Sequence, residues 1–183
     1  EKAKTENDEV VKGEYFPEGT EFVENEVTEF LKGLMEKVGI NGTVKAANTD
    51  NGLLVNLEGD DMGILIGRRG ETLDAVQYLA SLVANKSEGS YVRVVLDIDD
   101  YRSKREASLR AYARKTASNV VKSGRSMTLE PMNPYERRIV HSTVQTVNGA
   151  TSKSIGSEPN RRVVISPIEG AKPRGERKFR DGK

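Results

Sequence analysis

Two glycines bracket two arginines at Gly67-Arg68-Arg69-Gly70, between a short apolar run, Gly63-Ile64-Leu65-Ile66, and an amphipathic stretch, Glu71–Leu79. A G-x-x-G alone is common by chance, and the flanking segments give this one its weight. Glycine reaches backbone angles closed to other residues, and without a Cβ it lets the main chain come close to another group. The arginines add planar, permanently charged donors. A helix starting directly after the turn leaves its first N–H groups without intrahelical partners, and an anion is a natural acceptor for them. The tetrad reads as a grip for a phosphate-bearing backbone, with a plain turn before a helix as the bland alternative. Ile64 and Ile66 can floor an apolar groove beside it. The Gly-Lys-Ser/Thr ending of a nucleotide-triphosphate loop is absent, and so is a G-x-G-x-x-G dinucleotide turn.

The segments on either side suggest where the tetrad sits. Phe22, Val23, Val27, Phe30, Leu31, Leu34, Met35 and Val38 recur at three and four residues, which predicts a helix closing before Gly39. Val44 and Ala46, then Asp50-Asn51-Gly52, then Leu53, Val55 and Leu57 predict a hairpin. After the tetrad, Leu73, Val76, Ala80 and Val83 share a helix face, and Val92, Val94, Leu96 and Ile98 share one side of a strand over Tyr91–Ile98. The order is helix, strand, strand, short helix, tetrad, helix, strand.

A second unit opens near Asp99. Tyr101–Lys122 reads as a helix with Leu109, Tyr112, Ala113, Ala117, Val120 and Val121 inward and a dense set of Lys and Arg outward, ending at Gly124. Met127–Leu129 reads as a short strand. Asn133 then caps a helix over Tyr135–Val147, with Pro134 at its first position and Glu136 placed to complete a capping-box variant. Thr151–Ile155 and Arg161–Ser166 form a hairpin around Gly156–Asn160. The expected division is a charged linker at 1–20, a first domain at 21–98, a second at 99–168 and a basic disordered tail at 169–183. The fold class is α+β, built from two small domains.

Charge divides in the same way. Residues 1–100 carry 10 Lys/Arg against 21 Asp/Glu, a net −11, while residues 101–183 carry 19 against 7, a net +12. The basic half offers a field to a polyanion, and the acidic half helps keep the chain soluble. With no cysteine there is neither a disulfide nor a thiolate metal site, and one histidine cannot form a histidine cluster. Asp97, Asp99 and Asp100 could hold a metal, but beside a strand end they more simply cap the following helix. No cofactor, metal site or catalytic set is expected. No apolar run approaches the ~20 residues of a membrane helix, and no signal-peptide core opens the chain, so a cytoplasmic location is expected. Beginning at Glu1 rather than methionine, the chain reads as a fragment or a processed product.

The run I-G-R-R-G-E-T-L-D-A-V-Q-Y-L, in its order of elements, resembles a type II KH domain, with the order αββααβ. KH modules clamp about four nucleotides with a G-x-x-G loop. In Asn133-Pro134-Tyr135-Glu136-Arg137-Arg138-Ile139-Val140-His141, Arg137 and His141 lie one helical turn apart on a single face. That spacing, between Met127–Met132 and Arg161–Ile165, resembles the Arg-x-x-x-His single-stranded nucleic-acid-binding domain. The two domains in tandem over about residues 21–168 resemble the bacterial Jag family, also called KhpB or SpoIIIJ-associated proteins. The resemblance implies single-stranded RNA, or else single-stranded DNA, as ligand. It assigns backbone clamping to Gly67, Arg68, Arg69 and Gly70, the groove to Ile64 and Ile66, and a second site to Arg137 and His141. It also implies a small single-KH protein as partner, or a homodimer, and links to cell elongation, division and membrane-protein insertion. The family carries a further N-terminal domain before a charged linker, so a truncated form is expected here.

Physical roles can be assigned alongside the resemblance. Arg137 offers a planar fork to a phosphate or base edge. His141 can stack or donate a hydrogen bond, and its protonation would strengthen binding as pH falls; alternatively it holds its own domain together. Arg138, Arg161 and Arg162 are further phosphate candidates, with solvated surface arginines as the alternative. The main rival function is a protein adaptor for which RNA binding is secondary.

Overall fold

The computed structural model describes residue 16 and residues 19–87 and 89–168. The expected linker, apart from Phe16, Gly19 and Thr20, and the expected basic tail lie outside the described residues. Two compact units divide the chain between Arg102 and Ser103. Each has its own buried cluster.

The first unit begins with α1 (Glu26–Val38). The apolar stripe starts earlier, at Phe22, but the helix does not. Asn25 stops it: its side chain accepts the N–H groups of Val27 and Thr28, and the Thr28 hydroxyl accepts the N–H of Asn25. This reciprocal cap fixes the first turn. Phe22 and Val23 therefore precede the helix. The Phe22 ring meets Phe16 edge-on at 5.1 Å, and the Val23 N–H donates to the Ala46 carbonyl at 2.8 Å.

β1 (Gly42–Thr49) and β2 (Gly52–Gly59) pair antiparallel through a two-residue turn at Asp50-Asn51, with Val44 opposite Leu57 and Ala46 opposite Val55. β3 (Val94–Ile98) joins β2 in parallel, giving the order β1-β2-β3. A parallel neighbour needs a crossover. Here α2 (Gly63–Ile66), a tight turn over Arg68–Gly70 and α3 (Glu71–Ala84) supply it. The Gly-Arg-Arg-Gly tetrad thus occupies the connection that the sheet topology requires.

β3 starts at Val94, not at Tyr91. The Asn85 side chain takes both main-chain groups of Val92, accepting its N–H at 2.8 Å and donating to its carbonyl at 2.9 Å, which removes Val92 from the ladder. Leu31, Val55, Leu57, Leu73, Ala80, Leu96 and Ile98 fill the core between helices and sheet with no exposed surface. Burying each large aliphatic side chain stabilises the unit by about 1.5–3 kcal/mol.

On the other sheet face, Asp97 is buried next to Asn56. Burial pushes the Asp97 carboxyl up, while hydrogen bonds from the main chain of Ile98 and Arg102, and the Arg102 charge, oppose that. Asp97 thus ties down the first turn of α4 (Tyr101–Ser123). Asp99 and Asp100 turn the chain with left-handed φ of 47° and 55°.

The second unit holds most of α4, then β4 (Met127–Pro131), α5 (Pro134–Gln145), β5 (Ala150–Ile155) and β6 (Arg162–Pro167). Its sheet is antiparallel in the order β4-β6-β5. Ala113, Ala117, Val120, Val140, Val144, Val163 and Ile165 form its core. Tyr112, expected inward, is 49% exposed; Thr116, better centred on the stripe from Leu109 to Val120, takes the buried position.

Asn133 caps α5 as expected, accepting the Glu136 N–H at 2.9 Å, with Pro134 in the first turn. The capping box is not completed. The Glu136 carboxylate instead receives Nε and Nη2 of Arg105 at 2.8 and 2.7 Å. A buried carboxylate is better compensated by a forked cation than by one amide. Both units are mixed helix and sheet, the first with the αββααβ order that the KH resemblance implies.

Candidate nucleic-acid interface

The tetrad is shaped by its backbone. Gly67 sits at φ 68°, ψ −169°, a region open only to glycine, and a Cβ there would run into the Thr72 hydroxyl. Gly70 has φ 82°, and its Cβ would lie 2.8 Å from the Tyr101 ring. Between them Arg69 holds a left-handed φ of 59°, which costs a residue with a Cβ about 1–2 kcal/mol. Surrounding contacts impose this conformation: the Gly67 N–H donates to the Gly63 carbonyl at 2.8 Å, and Tyr101 closes over Gly70.

This backbone sends Arg68 outward. Its side chain is 77% exposed, with Glu71 at a loose 3.9 Å. Arg69 is partly buried. α3 begins immediately after Gly70, and no side chain caps it. Its first turn carries Glu71 and Asp74, whose charges already complement the helix dipole and so weaken the expected pull on an anion. Asp74 is itself held by Arg102 at 2.8 Å. The two isoleucines part company: Ile64 is 57% exposed, while Ile66 packs on the core. Ile64 and Arg68 are thus exposed and Gly67 and Arg69 partly so, while Gly70 is buried and Ile66 packs on the core.

The second set is organised by side chains. Arg137 and His141 share one face of α5, as their spacing requires, and that face meets β5 and the β5–β6 connection. Arg137 is 7% exposed. Its Nη1 donates to the Met132 carbonyl and its Nη2 pairs with Glu158, both at 2.8 Å. The open fork expected from sequence is therefore already engaged within the fold. His141 Nδ1 lies 2.7 Å from the Ser152 hydroxyl and Nε2 lies 2.8 Å from that of Ser154. Alternation along β5 turns both serines toward α5. Burial, with the nearby Arg137 charge, holds the imidazole below its usual range. The ring is neutral near pH 7 and acts as a crosslink between α5 and β5.

Arg138 and Arg161 are exposed, and Arg162 is partly buried with its Nε donating to the Asn160 carbonyl at 3.2 Å. Arg161 and Arg162 follow Glu158 closely in the chain, and Glu158 is the residue of that connection that pairs with Arg137.

One surface escaped the sequence reading. α3 exposes Tyr78 (64%), Leu79 and Leu82 opposite its buried Leu73, Val76 and Ala80. The signal was present as a surplus of apolar residues off the main stripe.

Residues 24–97 match the family described as the KhpA/KhpB KH domain, and residues 107–167 match the family of the Arg-x-x-x-His domain, named R-three-H for that spacing. The RNA-binding protein KhpB of Clostridium symbiosum is 45% identical over 148 residues, covering 80% of this chain and 67% of that protein. The RNA-binding protein KhpB of Bacillus subtilis is 34% identical over 139 residues, covering 75% and 67%. The protein of that name in Lactiplantibacillus plantarum is 33% identical over 138 residues, covering 75% of this chain and 43% of its own length. The chain thus spans about two-thirds of two of these relatives and less than half of the third. With a KH domain followed by an Arg-x-x-x-His domain, and identity that runs through both, the chain belongs to the KhpB (Jag) family.

Proposed function

We propose that the chain binds single-stranded RNA without catalysing a reaction on it, acting as a cytoplasmic post-transcriptional regulator. The observation that carries this reading is the Gly67–Gly70 backbone, in which Arg69 holds a strained left-handed φ while Arg68 stands in solvent, with Ile64 exposed four residues earlier. Phosphates lie along the tetrad and bases spread over Ile64, as KH modules hold about four nucleotides. The second unit extends the footprint through Arg138, Arg161 and Arg162, and tethering raises the effective concentration of each site for the same strand. The names of the relatives point to the same ligand class.

The test is anisotropy of a labelled mixed-sequence single-stranded RNA across a salt series, comparing the chain with its Arg68→Asp/Arg69→Asp variant after circular dichroism of both. The expected result is a loss of most affinity and a log–log salt slope flatter by about one unit, given ~0.7 per phosphate contact on a single strand. Equal binding by both proteins would move the RNA site off the tetrad. A matched single-stranded DNA arm addresses ligand preference.

A second reading is a protein adaptor that pairs with a small single-KH protein or a second copy of itself, serving cell elongation, division or membrane-protein insertion. The exposed Tyr78, Leu79 and Leu82 on α3 favour it, because apolar surface of that kind marks docking faces. Partner binding that survives the Arg68→Asp/Arg69→Asp change but fails on Leu82→Glu would support it.

A further inference from the structure

α4 carries two classes of cation. Arg102, Arg105 and Arg110 pair with the carboxylates of Asp74, Glu136 and Glu106 at 2.8, 2.7 and 2.6 Å. Beyond Glu106 the acidic partners end: residues 107–129 hold five Lys and Arg and no Asp or Glu. Arg114, Lys115 and Lys122 form no ion pair among the described residues. Complementing the helix dipole explains a cation in the last turn, which Lys122 is, but not Arg114 and Lys115 about two turns earlier.

The lysines of α4 are in register with an aromatic ring. Lys104, Ser108, Tyr112, Lys115, Asn119 and Lys122 recur at intervals of four, four, three, four and three, and every one is exposed. At ~1.5 Å per residue they make a strip of ~27 Å along one face. It runs beside the buried row that includes Leu109, Ala113 and Val120. Tyr112 stands at the middle of the strip, 49% exposed. Its hydroxyl has no hydrogen-bond partner among the described residues, whereas that of Tyr135, also exposed, donates to Glu106 at 2.8 Å.

We infer that this strip of α4 is a further platform for single-stranded RNA, on which the Tyr112 ring stacks a base while Lys104, Lys115 and Lys122 meet backbone phosphates on either side. The inference rests on the RNA-binding reading and deepens it. A basic track with an exposed ring on it holds a single strand whatever its sequence, because every base has a face to stack. Ser108 and Asn119 add neutral donors for phosphate and sugar oxygens. A duplex keeps its base faces covered, so the ring serves an unpaired strand. An anionic membrane surface fits poorly, since the strip offers one ring and no aliphatic face to bury. The platform adds affinity without base specificity, and it does so through a helix whose other arginines are spent on the fold.

Anisotropy of a fluorescein-labelled oligoadenylate across a salt series tests this with the full chain, Tyr112→Ala, Tyr112→Phe and Lys115→Gln/Lys122→Gln, each checked by circular dichroism. Alanine and glutamine are good helix formers, so exposed positions of α4 accept them. Tyr112→Ala is expected to bind at least about fivefold more weakly, the low end for one stacked base, with its salt slope unchanged. Tyr112→Phe, which keeps the ring, should recover most of that loss. The double lysine variant should flatten the log–log salt slope by about 1.4, from ~0.7 per phosphate contact on a single strand. Inorganic polyphosphate as competitor supplies charge without bases: it should lose affinity for the lysine variant and keep it for Tyr112→Ala. Oligoadenylate binding by Tyr112→Ala equal to that of the parent overturns the strip. So does Tyr112→Phe as weak as Tyr112→Ala, a salt slope unmoved by the lysine changes, or an equal loss of polyphosphate and oligoadenylate with Tyr112→Ala. A parent that binds no RNA overturns the functional reading and the strip with it, whereas a parent that binds RNA and is indifferent to Tyr112 overturns the strip alone.

Discussion

The Gly67–Gly70 loop and the β5–β6 connection both present arginine, by opposite means. In the loop the main chain does the positioning: two glycines and a left-handed Arg69 make the shape, and Arg68 extends into solvent with only a loose neighbour. In the connection the main chain is held by side chains, with Arg137 bridging Met132 and Glu158 while His141 bridges α5 and two serines of β5. The first arrangement makes arginine available at the cost of backbone strain. The second makes the fold depend on the arginine itself. One residue type therefore carries different consequences in the two units: substituting it in the first should alter binding, and in the second should alter stability as well.

The largest effect that would break this contrast is at Arg137. Arg137→Ala should destabilise the second unit by about 2–3 kcal/mol, since it leaves the buried Met132 carbonyl unpaired and empties packed volume. Amide hydrogen exchange reads this unit by unit, with protection lost in β5 and β6 and retained in β2. A change below ~0.5 kcal/mol would mean that Arg137 is not a structural bridge. Next comes Gly67→Ala, expected to cost the first unit about 1–3 kcal/mol through its forbidden backbone angles and the clash with Thr72, with the same exchange measurement showing the loss in β2 instead.

A smaller effect should appear with pH. Because the folded state holds the His141 imidazole below its usual range, the unfolded chain binds more protons between the two values. The second unit is thus fully stable above the ordinary imidazole value of about 6.5 and loses stability as pH falls through the lower folded value. Exchange in β5 between pH 7.5 and 5.5, corrected for intrinsic rates, should show this in the parent and not in His141→Asn. Equal pH dependence in both proteins would exclude His141 as the source. This opposes any gain in RNA binding from protonating His141, which would have to overcome the lost crosslink. Smallest of all, Arg68→Ala should shift the stability of the first unit by no more than ~0.5 kcal/mol while weakening RNA binding, which sets it apart from Arg137→Ala.

Much of the fold could be read from spacing. The β1–β2 hairpin followed from alternation around Asp50-Asn51, and α5 from Asn133 with Pro134, because turns and caps are local chemistry. The misreadings occurred where a side chain reached beyond its own segment. Phe22 continued an apolar stripe but lay outside a helix that Asn25 and Thr28 had already closed. Val92 continued an alternating strand but was taken by Asn85, seven residues earlier. Glu136 had the right place for a capping box and went instead to Arg105, thirty-one residues away. Tyr112 fell on the edge of its stripe, where an inward reading and an outward one differ by a small rotation. At the candidate sites, the shape of the tetrad was legible because glycine reports backbone angle directly. The burial of Arg137 was not, since nothing in Arg-x-x-x-His spacing announces that Glu158 will fold back onto it.

By itself, then, the sequence determined the two-unit order of elements, the turn that positions Arg68 and the face that Arg137 shares with His141, all of which depend on residues within a few positions of one another. Only the tertiary structure decided which of those arginines meets water. That outcome depends on which distant carboxylates and carbonyls the packed chain brings within hydrogen-bonding reach, and local pattern carries no record of them.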